Sequence, residues 1–238
     1  MRAIFLREDS KPSVEQVITL SDDRATHLIK ATRVRKADNV LILDGEGRSY
    51  TSEVLSVSRR DIDLKIISIE EKTKTHHIDL CLGLPKKDAF ELAVKNSVEL
   101  GVRNIYPFVA QYTQWAIKNP DRVNSLIESA LIQSNNYFFT TFHKVEESLS
   151  DLQEMIVSYD VVVLTTLKPG KNLNDFAVDK SKKYLIIIGP EGGLSDEEED
   201  LILSLDNTKA LMLDTPILRT PNAVSSIIGY LHGKFAAL

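Results

Sequence analysis

The sequence predicts an α/β protein in two parts: a small β-rich, barrel-like module, then a parallel sheet covered by helices on both faces. Three observations predict it. The first seventy residues are a series of short β-branched runs separated by turn signals. From residue 77 onward, strands alternate with helices, the order of a doubly covered parallel sheet. The runs VVVLTT (161–166) and YLIII (184–188) are continuously apolar, as strands buried on both faces must be.

In chain order, RAIFL, EQVITL, NVLILD, SYTSEVLSVS and IDLKIISI are the strands of the first part, and Asp44-Gly45-Glu46-Gly47 is a hairpin loop. One short helix interrupts them, with Ser21 as N-cap and Ala25, Leu28 and Ile29 facing inward. Small closed or half-closed barrels have this composition. The polar stretch Glu70 to Thr75 is the boundary, giving domains 1–72 and 73–238. Beyond it, HIDLCLGL is a strand, Lys86 to Leu100 a helix stopped by Gly101, and NIYPFVA a strand. Asn119-Pro120 opens a helix whose buried stripe is Val123, Leu126, Ile127, Ala130 and Leu131. Ser150 with Gln153, and Ser195 with Glu198, read as capping boxes. A strand over Leu211 to Asp214 precedes a last helix, with Thr220 as its cap and Pro221 at its first position.

The 238 residues carry a net charge of −5, with 43% hydrophobic and 26% charged residues, the composition of an ordinary globular chain. Arg7, Glu8 and Asp9 break the N-terminal apolar stretch, and no run reaches the length of a membrane span, so a cytoplasmic protein is expected. Cys81, the one cysteine, sits in an apolar run and reads as a buried thiol. The five histidines, His27, His76, His77, His143 and His232, lack metal-site spacing, so no metal is expected. Charge is uneven: residues 1–74 hold 14 Lys+Arg against 13 Asp+Glu, and the remainder 15 against 21. Lys30, Arg33, Arg35 and Lys36 cluster, which suits either a solvated face or a basic patch for RNA.

The most informative stretch is Tyr184 to Thr220. A strand enters Gly189-Pro190-Glu191-Gly192-Gly193, followed by a capped acidic helix and then Thr215-Pro216-Ile217-Leu218-Arg219-Thr220. Helix starts attract anions. Here, however, Glu191 and the run Asp196 to Asp200 would repel a polyphosphate, and the spacing fits neither the Walker nor the dinucleotide pattern. A phosphate-free ligand, of a kind that includes cations, is expected instead. Its seat would be the carboxyl ends of three strands, at Leu164 to Thr166, Ile188 to Gly193 and Leu213 to Ile217.

The segments HLIKATRVRKADNVLILDGEG (27–47), LPKKDAFELAVKNSVELGV (84–102), IIGPEGGLSDEEEDLI (187–202) and LDTPILRTPNAV (213–224) resemble the ribosomal RNA small subunit methyltransferase E family. The resemblance covers nearly the whole chain. It implies a PUA-like RNA-binding barrel, a trefoil-knotted α/β domain, a homodimer and S-adenosyl-L-methionine as cofactor. It places the cofactor among Leu164, Thr165 and Thr166; Gly189, Pro190, Glu191, Gly192 and Gly193; and Leu213, Ile217, Leu218 and Thr220. A bulky side chain at Gly192 would then enter the pocket.

The reaction implied is methylation of N3 of one uridine in small-subunit (16S) ribosomal RNA, with the ribosomal RNA or small subunit as partner. Arg219 is the candidate catalytic cation, stabilising charge on the base; the alternative is a structural partner of the knot backbone. Arg2, Arg33, Arg35 and Lys36 are candidates for phosphate contacts. Relatives usually carry Glu-Arg where this chain has Gln111-Tyr112, Glu-Gln-Ser-x-Arg at Ile132 to Asn136, and Glu-Thr at Pro221-Asn222. These replacements leave two further readings open: an RNA-binding or assembly protein that retains the knot, and a methyltransferase of another RNA.

Overall fold

In the computed structural model, residues 2–6, 11–166 and 176–238 are described, so the charged stretch Arg7 to Asp9 lies outside the described residues. The chain divides into two compact units, Met1–Lys74 with Leu131–Phe139, and Thr75–Ala130 with Thr140–Leu238.

The first unit is built on β1 (Ala3–Phe5), β2 (Val17–Leu20), β3 (Asn39–Leu43), β4 (Arg48–Val57) and β5 (Ile62–Glu71), ordered β1-β3-β4-β5-β2. All pairs are antiparallel except β1 with β3. β1 and β2 stand at opposite ends of that order, and among the described residues no ladder joins them. Its strands alternate buried and outward residues, and Ile42, Tyr50, Val54, Leu64 and Ile66 form one core. Into that core α1 (Asp23–Thr26), continued as a π-turn over His27–Ala31, sends Ala25 and Leu28. The helix is capped by Asp22, whose carboxylate accepts from the Arg24 amide, and not by Ser21 as expected. Helix starts are selected by which side chain can reach the free amide, and Asp22 is the one in register.

Relative to a cut at residue 72, one segment changes sides: Leu131–Phe139 clusters with the first unit. The hairpin loop draws it there. The Phe139 amide donates to the Gly45 carbonyl at 2.8 Å, the Gly47 amide to Tyr137 at 2.9 Å, and Phe139 stacks on Phe5. A Cβ on Gly45 would lie 2.9 Å from the Phe139 Cβ, so glycine permits this approach.

The second unit holds β6 (His77–Gly83), α2 (Lys87–Glu99), β7 (Asn104–Phe108), β8 (Thr141–Phe142), α4 (Gln153–Val157), β9 (Val161–Thr165), β10 (Lys183–Ile188), α5 (Asp196–Leu203), β11 (Thr208–Leu211) and α6 (Thr220–Ala236). Helix α3 (Asp121–Ser134) begins in this unit and ends in the first. The sheet is wholly parallel, ordered β11-β9-β10-β6-β7-β8. Along β10, Leu185 and Ile187 pack with Leu152, Ile156 and Ile202, while Tyr184 meets Phe235 of α6. Successive residues of a strand face opposite sides, so both faces are covered. On the α6 face, the Asn96 amide of α2 donates to the Ser225 hydroxyl at 2.8 Å. Cys81 is fully buried, and burial pushes its thiol pKa up, as expected for a structural thiol.

Three local expectations fail. Ser150 and Gln153 form no box; Ser150–Leu152 is a 3₁₀ turn, and Asp151 accepts from the Ser148 amide and hydroxyl instead. Thr220 is the first helical residue of α6, with Arg219 at the cap position, and its hydroxyl donates to the Gly189 carbonyl at 3.2 Å. The strand expected over Leu211 to Asp214 is β11, ending at Leu211, and residues 212–214 are released into a loop.

Candidate functional site

Strands β11, β9 and β10 are neighbours and parallel, so their carboxyl ends open side by side. A cavity of about 510 Å³ lies there. That is the scale of a small-molecule site. Thr165, Thr166, Gly189, Pro190, Glu191, Gly192, Gly193, Leu213, Ile217, Leu218, Arg219 and Thr220 all line it. Leu164 does not; it is fully buried in the sheet core, facing Ile187 and Ile202, because alternation along β9 turns it away from the opening. The wall also includes Ile188, Thr215 and Pro216, which fall within the strand ends expected to form the seat, and Leu194, Glu199, Leu211, Met212, Ala223 and Ile227, which lie outside those ends. Ala223 and Ile227 follow only once α6 packs against the sheet.

The glycine loop is held by a turn in which the Gly193 amide donates to the Pro190 carbonyl at 2.9 Å, with Gly193 at φ +76°. A Cβ on Gly189 would lie 3.0 Å from the Gly193 carbonyl carbon, so a glycine is needed there. Gly83, at the end of β6, has the same role from below: its Cβ would meet Pro190 Cδ at 2.8 Å. Gly192 corrects an expectation. A Cβ there would meet the Tyr112 Cβ at 2.7 Å, so a side chain would strike Tyr112 first and not project into the cavity.

The electrostatics disfavour a phosphate at the start of α5. At the start of α5 the Ser195 hydroxyl accepts from the Glu198 amide and Glu198 accepts from the Ser195 amide, the expected capping box. Glu198 also accepts from the Gln111 amide at 2.9 Å. These amides are already satisfied. Glu191 turns its carboxylate onto the Lys86 amide at the start of α2, at 3.1 and 3.2 Å, where the helix dipole favours it. Of the acidic run Asp196 to Asp200, only Glu199 lines the cavity, accepting from the Thr166 hydroxyl at 3.0 Å. An apolar wall with a carboxylate and hydroxyls suits a cationic, phosphate-free ligand with polar edges. Ile217, 81% exposed, and Arg219, also exposed, stand at the rim.

Beyond the glycine loop lies a second cavity, about 370 Å³, lined by Lys86, Tyr112, Gln114, Glu191 and Gly192. Glu191 and Gly192 line both cavities, so the loop is their common wall. Asn136 is elsewhere, in the first unit, where its side-chain oxygen accepts from the Phe138 amide. Pro221 and Asn222 lie in the first turn of α6, with the Pro221 carbonyl accepting from Asn96.

In the first unit, Arg33, Arg35 and Lys36 are exposed together after the π-turn, and Arg33 adopts φ +51°. Arg2 is ion-paired to Asp38, which also accepts from the Arg35 amide. That amide, followed by the Arg2 charge, holds the Asp38 carboxyl below the usual carboxylate range. Among the described residues no group of three His, Cys, Asp or Glu could hold a metal ion, and no helix is long and apolar enough to cross a membrane.

Residues 71–232 match the family described as RNA methyltransferase domain, and residues 20–67 the family described as RNA methyltransferase PUA domain. Over 244 residues the chain is 23% identical to the ribosomal RNA small subunit methyltransferase E of Rickettsia conorii, covering 95% of this chain and 91% of that protein. It is 24% identical to the Bacillus subtilis protein of the same description, covering 94% and 93%. A solved ribosomal RNA small subunit methyltransferase E from Neisseria gonorrhoeae, bound to S-adenosyl methionine, has a TM-score of 0.88 at 24% identity, covering 98% of this chain and 97% of that one.

Proposed function

This chain belongs to the RNA methyltransferase family, and from that premise we propose that it methylates small-subunit ribosomal RNA, at N3 of one uridine, with S-adenosyl-L-methionine as donor. The observation that carries the reading is the cavity across β9, β10 and β11, largely apolar, with the Glu199 carboxylate on its wall and the start of α5 closed by the Ser195–Glu198 box. The names of the relatives from Rickettsia conorii and Bacillus subtilis support the RNA class, and the structure from Neisseria gonorrhoeae supports the donor.

When bound, the cofactor supplies an electrophilic methyl group on a sulfonium. Thr165, Thr166 and Gly189 to Gly193 would hold it from one side, and Leu213, Ile217, Leu218 and Thr220 from the other. Glu199 adds a carboxylate that favours a cation. Apolar wall atoms would lower the local dielectric beside the bound cofactor, which strengthens polar contacts there. A uridine N3 carries a proton and normally pairs, so the base must be unpaired to present it. Once that proton has passed to solvent, negative charge would spread onto the ring oxygens, and Arg219, which lines the cavity, would stabilise it. Arg33, Arg35 and Lys36, with Arg2 beside them, would take RNA phosphates. The same reading includes the trefoil knot, a homodimer and a cytoplasmic setting.

Calorimetry with S-adenosyl-L-methionine should give saturable binding; a flat titration of folded protein defeats the cofactor assignment. Methylation at N3 blocks the pairing edge, so reverse transcription of ribosomal RNA should stop at one uridine in cells holding this protein and read through after its deletion. Identical profiles in both strains favour a binding or assembly role, and a stop in another RNA would move the target.

A further inference from the structure

We propose that the second cavity receives an unpaired uracil of the RNA strand, a neighbour of the base to be methylated, stacked on Tyr112 and met at its edge by Lys86 and Gln114. The inference rests on the methyltransferase reading for RNA as the ligand, and on the geometry of the loop for its place. Glu191 and Gly192 line this cavity and the first one alike, so the glycine loop stands between an occupant here and the cofactor seat.

Tyr112 is 47% exposed, a large aromatic face left open. Its backbone is not left free. The Ala110 amide donates to the Thr113 hydroxyl at 3.0 Å, the Thr113 amide to the Ala110 carbonyl at 2.9 Å, and the Gln111 amide to Glu198 of α5. Gly192 lets the Tyr112 Cβ settle directly against the loop. An open aromatic face on an anchored stretch of backbone suits single-stranded bases, which proteins commonly hold by stacking. The chemistry of the remaining wall selects the base. Uracil presents two carbonyl oxygens flanking one N–H; Lys86 and Gln114 bring donors for the former, while Gln114 and Glu191 bring acceptor oxygens for the latter. Glu191 is held in place by the Lys86 amide.

The test uses the full chain and a short oligoribonucleotide with one central uridine, its affinity read by fluorescence anisotropy. Tyr112→Ala should weaken binding roughly ten- to a hundred-fold, the usual worth of one base stacked on an aromatic ring. Tyr112→Phe should stay within about threefold of the parent, because the ring face is retained. With 5-iodouridine in the oligonucleotide, irradiation should give an adduct at Tyr112 in peptide mass spectra. Equal affinity for the alanine variant and the parent overturns the proposal. So does an equal loss in both variants, which would assign the effect to the hydroxyl, or an adduct mapped only outside the cavity. Calorimetry on the same samples keeps the two readings apart. A parent that binds uridine through Tyr112 but not S-adenosyl-L-methionine sinks the proposed function alone; the reverse sinks only the base pocket.

Discussion

Gly189 and Gly192 are three residues apart in one loop, yet their missing side chains do different things. At Gly189 the space is taken by backbone, with Gly193 and Leu194 atoms at 3.0 and 3.1 Å from a hypothetical Cβ. Backbone cannot swing aside, so Gly189→Ala must shift the loop that forms the cavity wall. At Gly192 the neighbour is Tyr112, so Gly192→Ala displaces that residue first. Expected outcomes therefore diverge: Gly189→Ala should cost about 1–3 kcal/mol of stability from overpacking and weaken cofactor affinity. Gly192→Ala should affect uridine binding more than cofactor binding. Paired titrations with both ligands check this, and matching losses for the two variants would contradict it. The glycine motif was legible in the sequence; the direction each glycine faces was not, because it depends on β7's loop arriving from eighty residues away.

Elements were legible where the local signal had no competitor. The Ser195–Glu198 box at α5 forms as read, since Glu198 has an oxygen for each donor, Oε2 for the Ser195 amide and Oε1 for the Gln111 amide. Ser195→Ala should lower stability by about 1 kcal/mol, seen as a lower urea midpoint with unchanged slope. The loss should exceed that of an exposed helix serine if the link through Glu198 to the Gln111 amide is also loosened. The Ser150–Gln153 pair carries the same pattern and fails: Ser150 opens a 3₁₀ turn, and the Ser148 amide and hydroxyl donate to Asp151. Thr220 likewise reads as a cap and serves instead as a tie from α6 to the glycine loop. The two-residue strand β8 left no trace in the pattern, being too short for alternation to register.

At the scale of the molecule, the protein combines a PUA-like five-stranded sheet with an α/β methyltransferase domain. Opposite the cavity, the amino ends of β6 and β7 are joined by Asp79, which is buried and bonded to His77, Tyr159 and the Asn104 amide. The nearby His143 bonds to Asn104 and stacks on Tyr106. Burial lowers the pKa of His143, and of His76, which stacks on Phe235. An unfolded histidine protonates near pH 6.5. The unfolded chain therefore binds more protons than the folded one below that value, and stability should fall as pH drops from about 6.5 toward the lower folded values. Urea midpoints at pH 7.5 and 5.5 measure the effect, and His143→Gln should flatten it; an unchanged pH slope in the variant would remove His143 from the account.

The sequence by itself determined the α/β class, the strand runs, the acidic capped helix and the glycine loop, because periodicity and capping are short-range and printed in neighbouring residues. Only the tertiary structure decided that Leu164 is core while Glu199 is wall, that Glu191 is spent on α2, and that Tyr112 faces a second cavity. Those outcomes turn on which strand ends lie side by side, and sheet order is set by long-range burial that no local stretch encodes.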